Sequence, residues 1–109
     1  HLQGLSALRV LNLGKCAVGD DALEHLEKLP DLEVLALPHT KVTGAGLAHL
    51  KPSVKLRVLN LIGCDVDDAG LEHLKGLTSL RMLYVRDTKV TQDGIDEFKD
   101  EAPSLAIYD

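Results

Sequence analysis

HLKGLTSLRML, residues 73–83, repeats HLQGLSALRVL, residues 1–11, at an offset of 72, which is three times 24. Aligned on Leu8, Leu32, Leu56 and Leu80, the chain falls into units of 24 residues, and Leu105 arrives one residue late through a single insertion near Ala102. Each unit opens Leu-x-x-Leu-x-Leu: Leu8, Leu11, Leu13; Leu32, Leu35, Leu37; Leu56, Leu59, Leu61; and Leu80, Leu83, with Val85 closing the fourth set. Side chains alternate along a strand, so positions four and six of the unit share one side, and that side is the core. Position nine (Cys16, Thr40, Cys64, Thr88) and position eleven (Val18, Val42, Val66, Val90) suit the interior of the turn that follows.

A helix comes next in each unit. Gly19, Thr43, Asp67 and Thr91 stand at the cap column, where all three residue types are accepted. The pairs Leu23 and Leu26, Leu47 and Leu50, Leu71 and Leu74, then Ile95 and Phe98 lie three residues apart, as one buried helix face requires. Between cap and first buried leucine stand Ala22, Gly46, Gly70 and Gly94. Alanine in this column argues against a positive φ and for smallness, which predicts a close approach of the helix to the neighbouring coil. Gly44-x-Gly46 lacks the third glycine and the strand-to-helix spacing of a dinucleotide-binding loop, so the repeat accounts for it.

LRVLNLGKCAV, LEVLALPHTKV, LRVLNLIGCDV and LRMLYVRDTKV resemble the leucine-rich repeat signature. VTGAGLAHLK, VDDAGLEHLKGL and VTQDGIDEFK resemble the 24-residue threonine-rich repeats of bacterial, including planctomycete, proteins. The resemblance covers nearly the whole chain and implies an α/β leucine-rich repeat solenoid: a horseshoe segment coiled to the right, with a parallel concave sheet and short convex helices. It further implies protein recognition, often as a module of a larger protein. Pro38 departs from the pattern and ends strand continuation; in the last unit Phe98 and the acids Asp96, Glu97, Asp100 and Glu101 replace a leucine-dominated helix. The expected domain is single, 1–109, with a partial repeat over 1–7, repeats over 8–31, 32–55, 56–79 and 80–104, and a C-terminal cap over 105–109. Because His1 to Ala7 match the second half of a unit, further repeats or another domain are expected upstream.

With 45% hydrophobic and only 3% aromatic residues, the core is built from leucine and valine columns. No apolar run approaches the roughly 18 to 20 residues that span a bilayer, and no leader-like segment opens the chain. Cys16 and Cys64 share a column two units apart, about 10 Å at the usual strand spacing, whereas a disulfide needs Cα atoms within about 7 Å. They are expected to be free thiols, which leans toward an intracellular setting. His25, His49 and His73 follow a buried leucine by two residues, about 200° round a helix, and are expected on the solvent side rather than around a metal. Serines and cysteines lack a histidine in reach, the carboxylates are dispersed, and the expectation is a non-enzymatic chain without a cofactor or metal.

What remains is the open face of the sheet. A net charge of -5 disfavours nucleic acid and anionic membranes, yet the charges are segregated. Arg9, Lys15, Arg57, Arg81 and Arg86 gather on the sheet side against Glu33 and Asp87, while most acids lie on turns and helices. At position two, Glu33 is placed to pair with Arg9 and Arg57, leaving Arg81 without an acidic neighbour in its column. Position three reads Val10, Val34, Val58, Met82, Ile107, an apolar stripe explained in part by strand propensity. Position five reads Asn12, Ala36, Asn60, Tyr84. The expected protein-binding residues are Arg57, Val58, Asn60, Ile62, Arg81, Met82, Tyr84 and Arg86, a set rich in types that dominate interfaces, facing a partner with an acidic or mixed apolar-acidic surface. The competing expectations are a structural C-terminal cap or spacer of a larger multidomain protein, or an adaptor or effector repeat domain.

Overall fold

The computed structural model describes residues 9–14, 18–27, 31–51 and 55–108. Five strands, β1 (Val10–Asn12), β2 (Val34–Ala36), β3 (Val58–Asn60), β4 (Met82–Tyr84) and β5 (Ala106–Tyr108), form one parallel sheet in chain order. Every register is a shift of 24: Leu11, Leu35, Leu59, Leu83 and Ile107 are consecutive partners. The architecture is an open solenoid of strand–turn–helix units, its parallel sheet backed by helices. Parallel neighbours need a crossover, and each unit supplies it with a helical segment. These are α1 (Asp20–Leu26), a 3-10 helix over Gly44–Leu50, α2 (Asp68–Leu71) running into a 3-10 turn over Glu72–Leu74, and α3 (Gln92–Glu101). The Gly44–Leu50 segment has two glycines in its first turn and no acid there to favour a helix N-terminus, and it takes the tighter form.

The leucine columns are the core. Leu32, Leu35 and Leu37, then Leu56, Leu59 and Leu61, are fully buried, as are Leu23, Leu47 and Leu50 from the helices. Leu83, Val85, Ile95 and Phe98 continue the column, and Leu11 and Leu13 pack against it half-buried. Position nine lies at the turn as the sequence predicts. Thr40 donates to the Leu37 carbonyl at 2.9 Å, Thr88 to the Val85 carbonyl at 2.6 Å, and the free thiol of Cys64 to the same Leu37 carbonyl at 2.9 Å. Cys16 and the partial repeat over 1–7 lie outside the described residues.

A second, narrower stack runs along the turns. Gly19 bridges to Lys41, Thr43 to Asp65 and Asp67 to Lys89, all parallel, so each helix cap pairs with the turn residue two positions ahead of the next unit's cap. Two kinds of junction alternate there. Asp20 accepts from the Thr43 amide at 2.8 Å and its hydroxyl at 2.6 Å, and Asp68 does the same for Thr91 at 2.8 and 2.5 Å. Between them the equivalent of Asp20 is Gly44, and the cap of the next unit is Asp67, whose carboxylate turns back to the Gly70 amide at 3.3 Å. An acid at residue 44 would face Asp67; glycine removes that repulsion and lets the backbones meet. A Cβ on Gly70 would lie 2.9 Å from Gly44 Cα, and one on Gly46 or Gly94 would enter the carboxylates of Asp20 or Asp68. None of these three has a positive φ, so the small column is a matter of space.

The fifth strand corrects one expectation. Ile107 is not on the open face: Met82 pairs with Ala106, Leu83 with Ile107 and Tyr84 with Tyr108. No residue is inserted between β4 and β5: the ladder bonds Ala106 N to Arg81 O (2.9 Å) and Val85 N to Tyr108 O (2.8 Å) hold the same 24-residue register as the other strands. Ile107 therefore turns inward, and Leu105 is buried beside it.

A paired substitution tests the close approach. Gly70→Ala should lower stability by about 1 to 3 kcal/mol, since its obstacle is backbone that cannot rotate away. Gly76→Ala meets nothing within 4 Å at a φ open to alanine and should leave stability unchanged or raise it by up to about 1 kcal/mol. Urea midpoints of the two variants against the parent decide it.

Candidate concave interaction face

Alternation along the strands leaves Val10, Asn12, Val34, Ala36, Val58, Asn60, Met82, Tyr84, Ala106 and Tyr108 on the face away from the leucines. No charged residue occupies these two columns, so position two and the strand-end turns carry the charge. Glu33 sits between two arginines, 2.7 Å from Arg9 Nε and 3.9 Å from Arg57 Nη1. The hydrogen bond from Arg9 holds the Glu33 carboxyl below the usual carboxylate range, with Arg57 and Lys55 adding to the pull. Lys55 is itself paired with Asp31 at 3.0 Å. Two of the three position-two arginines, Arg9 and Arg57, thus share one acid.

Arg81 takes no carboxylate partner among the described residues. Its Nη1 donates to the carbonyls of Thr78 (2.9 Å) and Leu80 (3.1 Å), which ties the exposed side chain to the backbone just ahead of β4. Arg86 is exposed at the opposite end of β4, one residue before Asp87, which has a positive φ of 59°. His39 and Gly63 occupy the same column with φ of 57° and 75°, so a left-handed residue closes the turn after each of these strands. The periodicity of the hydrophobic residues carries no sign of this turn.

Of the eight residues read from the sequence, Arg57 and Arg81 lie side by side at position two, Val58 beside Met82, and Asn60 beside Tyr84. Ile62 and Arg86 stand at the adjoining turn, where the Arg86 carbonyl accepts from Gly63 N at 3.0 Å. Asn60 is occupied locally: its Oδ1 accepts from Ile62 N at 3.0 Å, just as Asn12 Oδ1 accepts from Gly14 N at 2.9 Å. The asparagines shape the turn, and the outward chemistry comes from their neighbours.

The sequence reading passes over Tyr108. In the true register it falls directly beside Tyr84, and the two rings stack with centroids 4.8 Å apart and planes 18° apart. Tyr108 remains 45% exposed and Met82 37%, which makes this end of the face an aromatic and thioether surface next to two arginines. The missed signal is the offset of 24 between Tyr84 and Tyr108, hidden by aligning the last unit on Leu105.

The histidine column lies on the helical side. His25 is exposed, His49 and His73 are half-buried, and His49 Nδ1 lies 2.5 Å from Glu27 of the preceding unit. Among the described residues no three His, Cys, Asp or Glu side chains gather into a metal site, and no helix is long and apolar enough to cross a membrane.

A stack of strand–turn–helix units with an open, side-chain-rich sheet face defines a solenoid repeat protein. The chain carries leucine-rich repeats: the Leucine Rich repeat family model matches residues 4–26 and 53–75. Among solved structures it is similar to internalin C2 of Listeria monocytogenes, with TM-score 0.80 and 24% identity over 97% of this chain and 43% of that one. It is also similar to the repeat ectodomain of the receptor kinase SOBIR1 of Arabidopsis thaliana (TM-score 0.63, 22% identity, 99% of this chain and 58% of that one). The tropomodulin C-terminal domain of Caenorhabditis elegans shares the fold as well (TM-score 0.71, 18% identity, 94% and 73%). The chain thus spans less than half of the internalin. Comparison with curated proteins by sequence gives no significant match.

The Glu33 ladder makes a pH prediction. A carboxyl whose folded pKa is depressed contributes stability that is present above its unfolded pKa, about 4.3, and is lost as pH falls through the lower folded value. Carboxyl shifts followed by NMR should show Glu33 titrating below the ordinary glutamate value of about 4.3, and Arg9→Gln should move it back up toward that value. An unchanged Glu33 titration in Arg9→Gln would remove the arginine as its cause.

Proposed function

We propose that this chain is a non-enzymatic protein-interaction module that holds its partner on the concave sheet face, at the end formed by β3, β4 and β5. The observation that carries this is the continuous surface of Met82, Tyr84 and Tyr108 flanked by Arg57, Arg81 and Arg86, set on strands whose backbone is locked in a ladder. Parallel strands space these columns at about 4.8 Å, so several side chains act on one partner without loop rearrangement. Solenoids of this kind use extended concave surfaces for binding, and aromatic, methionine and arginine side chains dominate the energetics of protein interfaces. The surplus of arginine over acid favours a partner with an acidic or mixed apolar-acidic surface. Repeat boundaries at 8–31, 32–55, 56–79 and 80–104, with 105–109 closing the array, go with this reading, as do further repeats or a domain in the same protein. The partner engages neither nucleic acid nor membrane through this face.

The test uses a partner recovered by affinity capture and compares variants on the two sides of the coil. Tyr84→Ala or Arg81→Ala should each weaken binding by about 2 kcal/mol or more, and His49→Ala by almost nothing. The arginine variant should also flatten the salt dependence, since exposed charges are screened beyond about 8 to 10 Å at ordinary ionic strength. Equal losses from both sides, or a loss from the helical side alone, would overturn the concave assignment and favour the spacer reading.

A further inference from the structure

The coil that carries β5 departs from Leu8, Leu32, Leu56 and Leu80 at one core position: counting 24 from Leu80 gives Ser104. The column of Leu77 continues to Glu101 and is already polar at Ser53. Leu105, one residue after Ser104, is buried. A hollow of about 220 Å³ opens there, floored by the buried side chains of Leu77, Leu80, Phe98 and Leu105. A dry apolar cavity of about 150 Å³ already takes up benzene. This one is larger and open to solvent, so a side chain can enter it.

Its rim is polar and fixed. Lys75 is held by Glu72 at 2.8 Å and Glu101 at 2.7 Å, which ties the end of α3 to the preceding helical turn and sets one lip. The other lip is Arg81. Arg81 also lines a second, shallower hollow with Arg57 and Glu33, so the guanidinium stands between the apolar hollow and the basic end of the concave face. A ligand reaching into the hollow therefore passes an arginine whose charge no carboxylate among the described residues neutralises.

We propose that this hollow receives a leucine-sized apolar side chain of the partner peptide, and that Arg81 binds an acidic side chain next to it in the same segment. This rests on the concave-face reading and extends it: the partner's recognition element is an extended segment in which a bulky aliphatic residue is flanked by acids. Leucine is the side chain the repeat itself would have placed here, and the rim charge selects its neighbours. The peptide supplies the missing core residue.

The probe is a synthetic acetyl-Asp-Leu-Asp-amide at millimolar concentration, titrated into the isotopically labelled chain and followed through backbone amide shifts. The amides of Leu77, Thr78 and Leu105 should move and saturate. Replacing leucine by alanine in the peptide should weaken binding at least about tenfold, and replacing both acids by asparagine should weaken it for the parent protein but not for Arg81→Gln. Ala102→Leu fills the hollow from within and Ser104→Phe blocks it from the exposed rim. Either variant, with its amide dispersion intact, should lose the response. The proposal is overturned if the pocket amides do not move, if the leucine and alanine peptides bind equally, or if the same amides shift with protein concentration alone, which would mean that a second copy occupies the hollow. Loss of the peptide response with partner binding still sensitive to Tyr84→Ala would reject the hollow and leave the concave face standing. A peptide response with partner binding indifferent to Tyr84→Ala would reject the face instead.

Discussion

Each coil of this chain can cover its leucines only with the next coil, and that constraint sets everything else. The side chains of Leu35, Leu59 and Leu83 lie in one column because their backbones are hydrogen-bonded partners, and all three are fully buried. A unit of 24 residues has no second layer of its own to bury against, so cooperativity resides in the neighbour interfaces. The close approach of the helices follows from the same need. Gly70 meets Gly44 backbone to backbone, and the Asp20–Thr43 and Asp68–Thr91 hydrogen bonds fix the alternate junctions. These polar clasps satisfy helix-cap groups that would otherwise be left without partners at a crowded junction.

Most of this was legible because apolar periodicity and space are direct consequences of side-chain type. The columns Leu-x-x-Leu-x-Leu and the small column at Gly46, Gly70 and Gly94 report on what is buried and how near the neighbour lies, and both were read correctly. Register in the last unit was not, because two constraints compete there. Apolar matching alone favours Leu105 as the equivalent of Leu80, while backbone pairing keeps Ala106 beside Met82. The ladder keeps the 24-residue spacing of the other units, and a slip of one residue would turn Tyr108 inward and Ile107 outward. Sequence pattern registers side chains and is blind to the ladder that decides such a case.

The candidate face was legible in part for the same reason. Glu33 between Arg9 and Arg57 followed from the 24-residue column, and the structure places it within reach of both. Asn60 did not behave as a free contact residue, because an asparagine at a strand end finds a backbone amide two residues on. The Tyr84–Tyr108 stack depended on the register and was lost with it. The left-handed residues His39, Gly63 and Asp87 share a column, yet three different side chains occupy it, so a reader of residue types sees no pattern where the backbone has a strict one.

The two ends of the sheet face consequently differ in kind. Toward β1 the open columns carry Val10, Asn12, Val34 and Ala36, with Arg9 committed to Glu33. Toward β5 they carry Met82, Tyr84 and Tyr108, with Arg81 held, among the described residues, by backbone carbonyls. Repeats that must stack have little freedom in their core columns, and the outward columns are where neighbouring units can diverge at no cost to the stack. In the coil that carries β5, Ser104 stands at a leucine position, and the hollow beside it is bordered by Arg81. Chemical variation is thus concentrated where the repeat constraint is weakest.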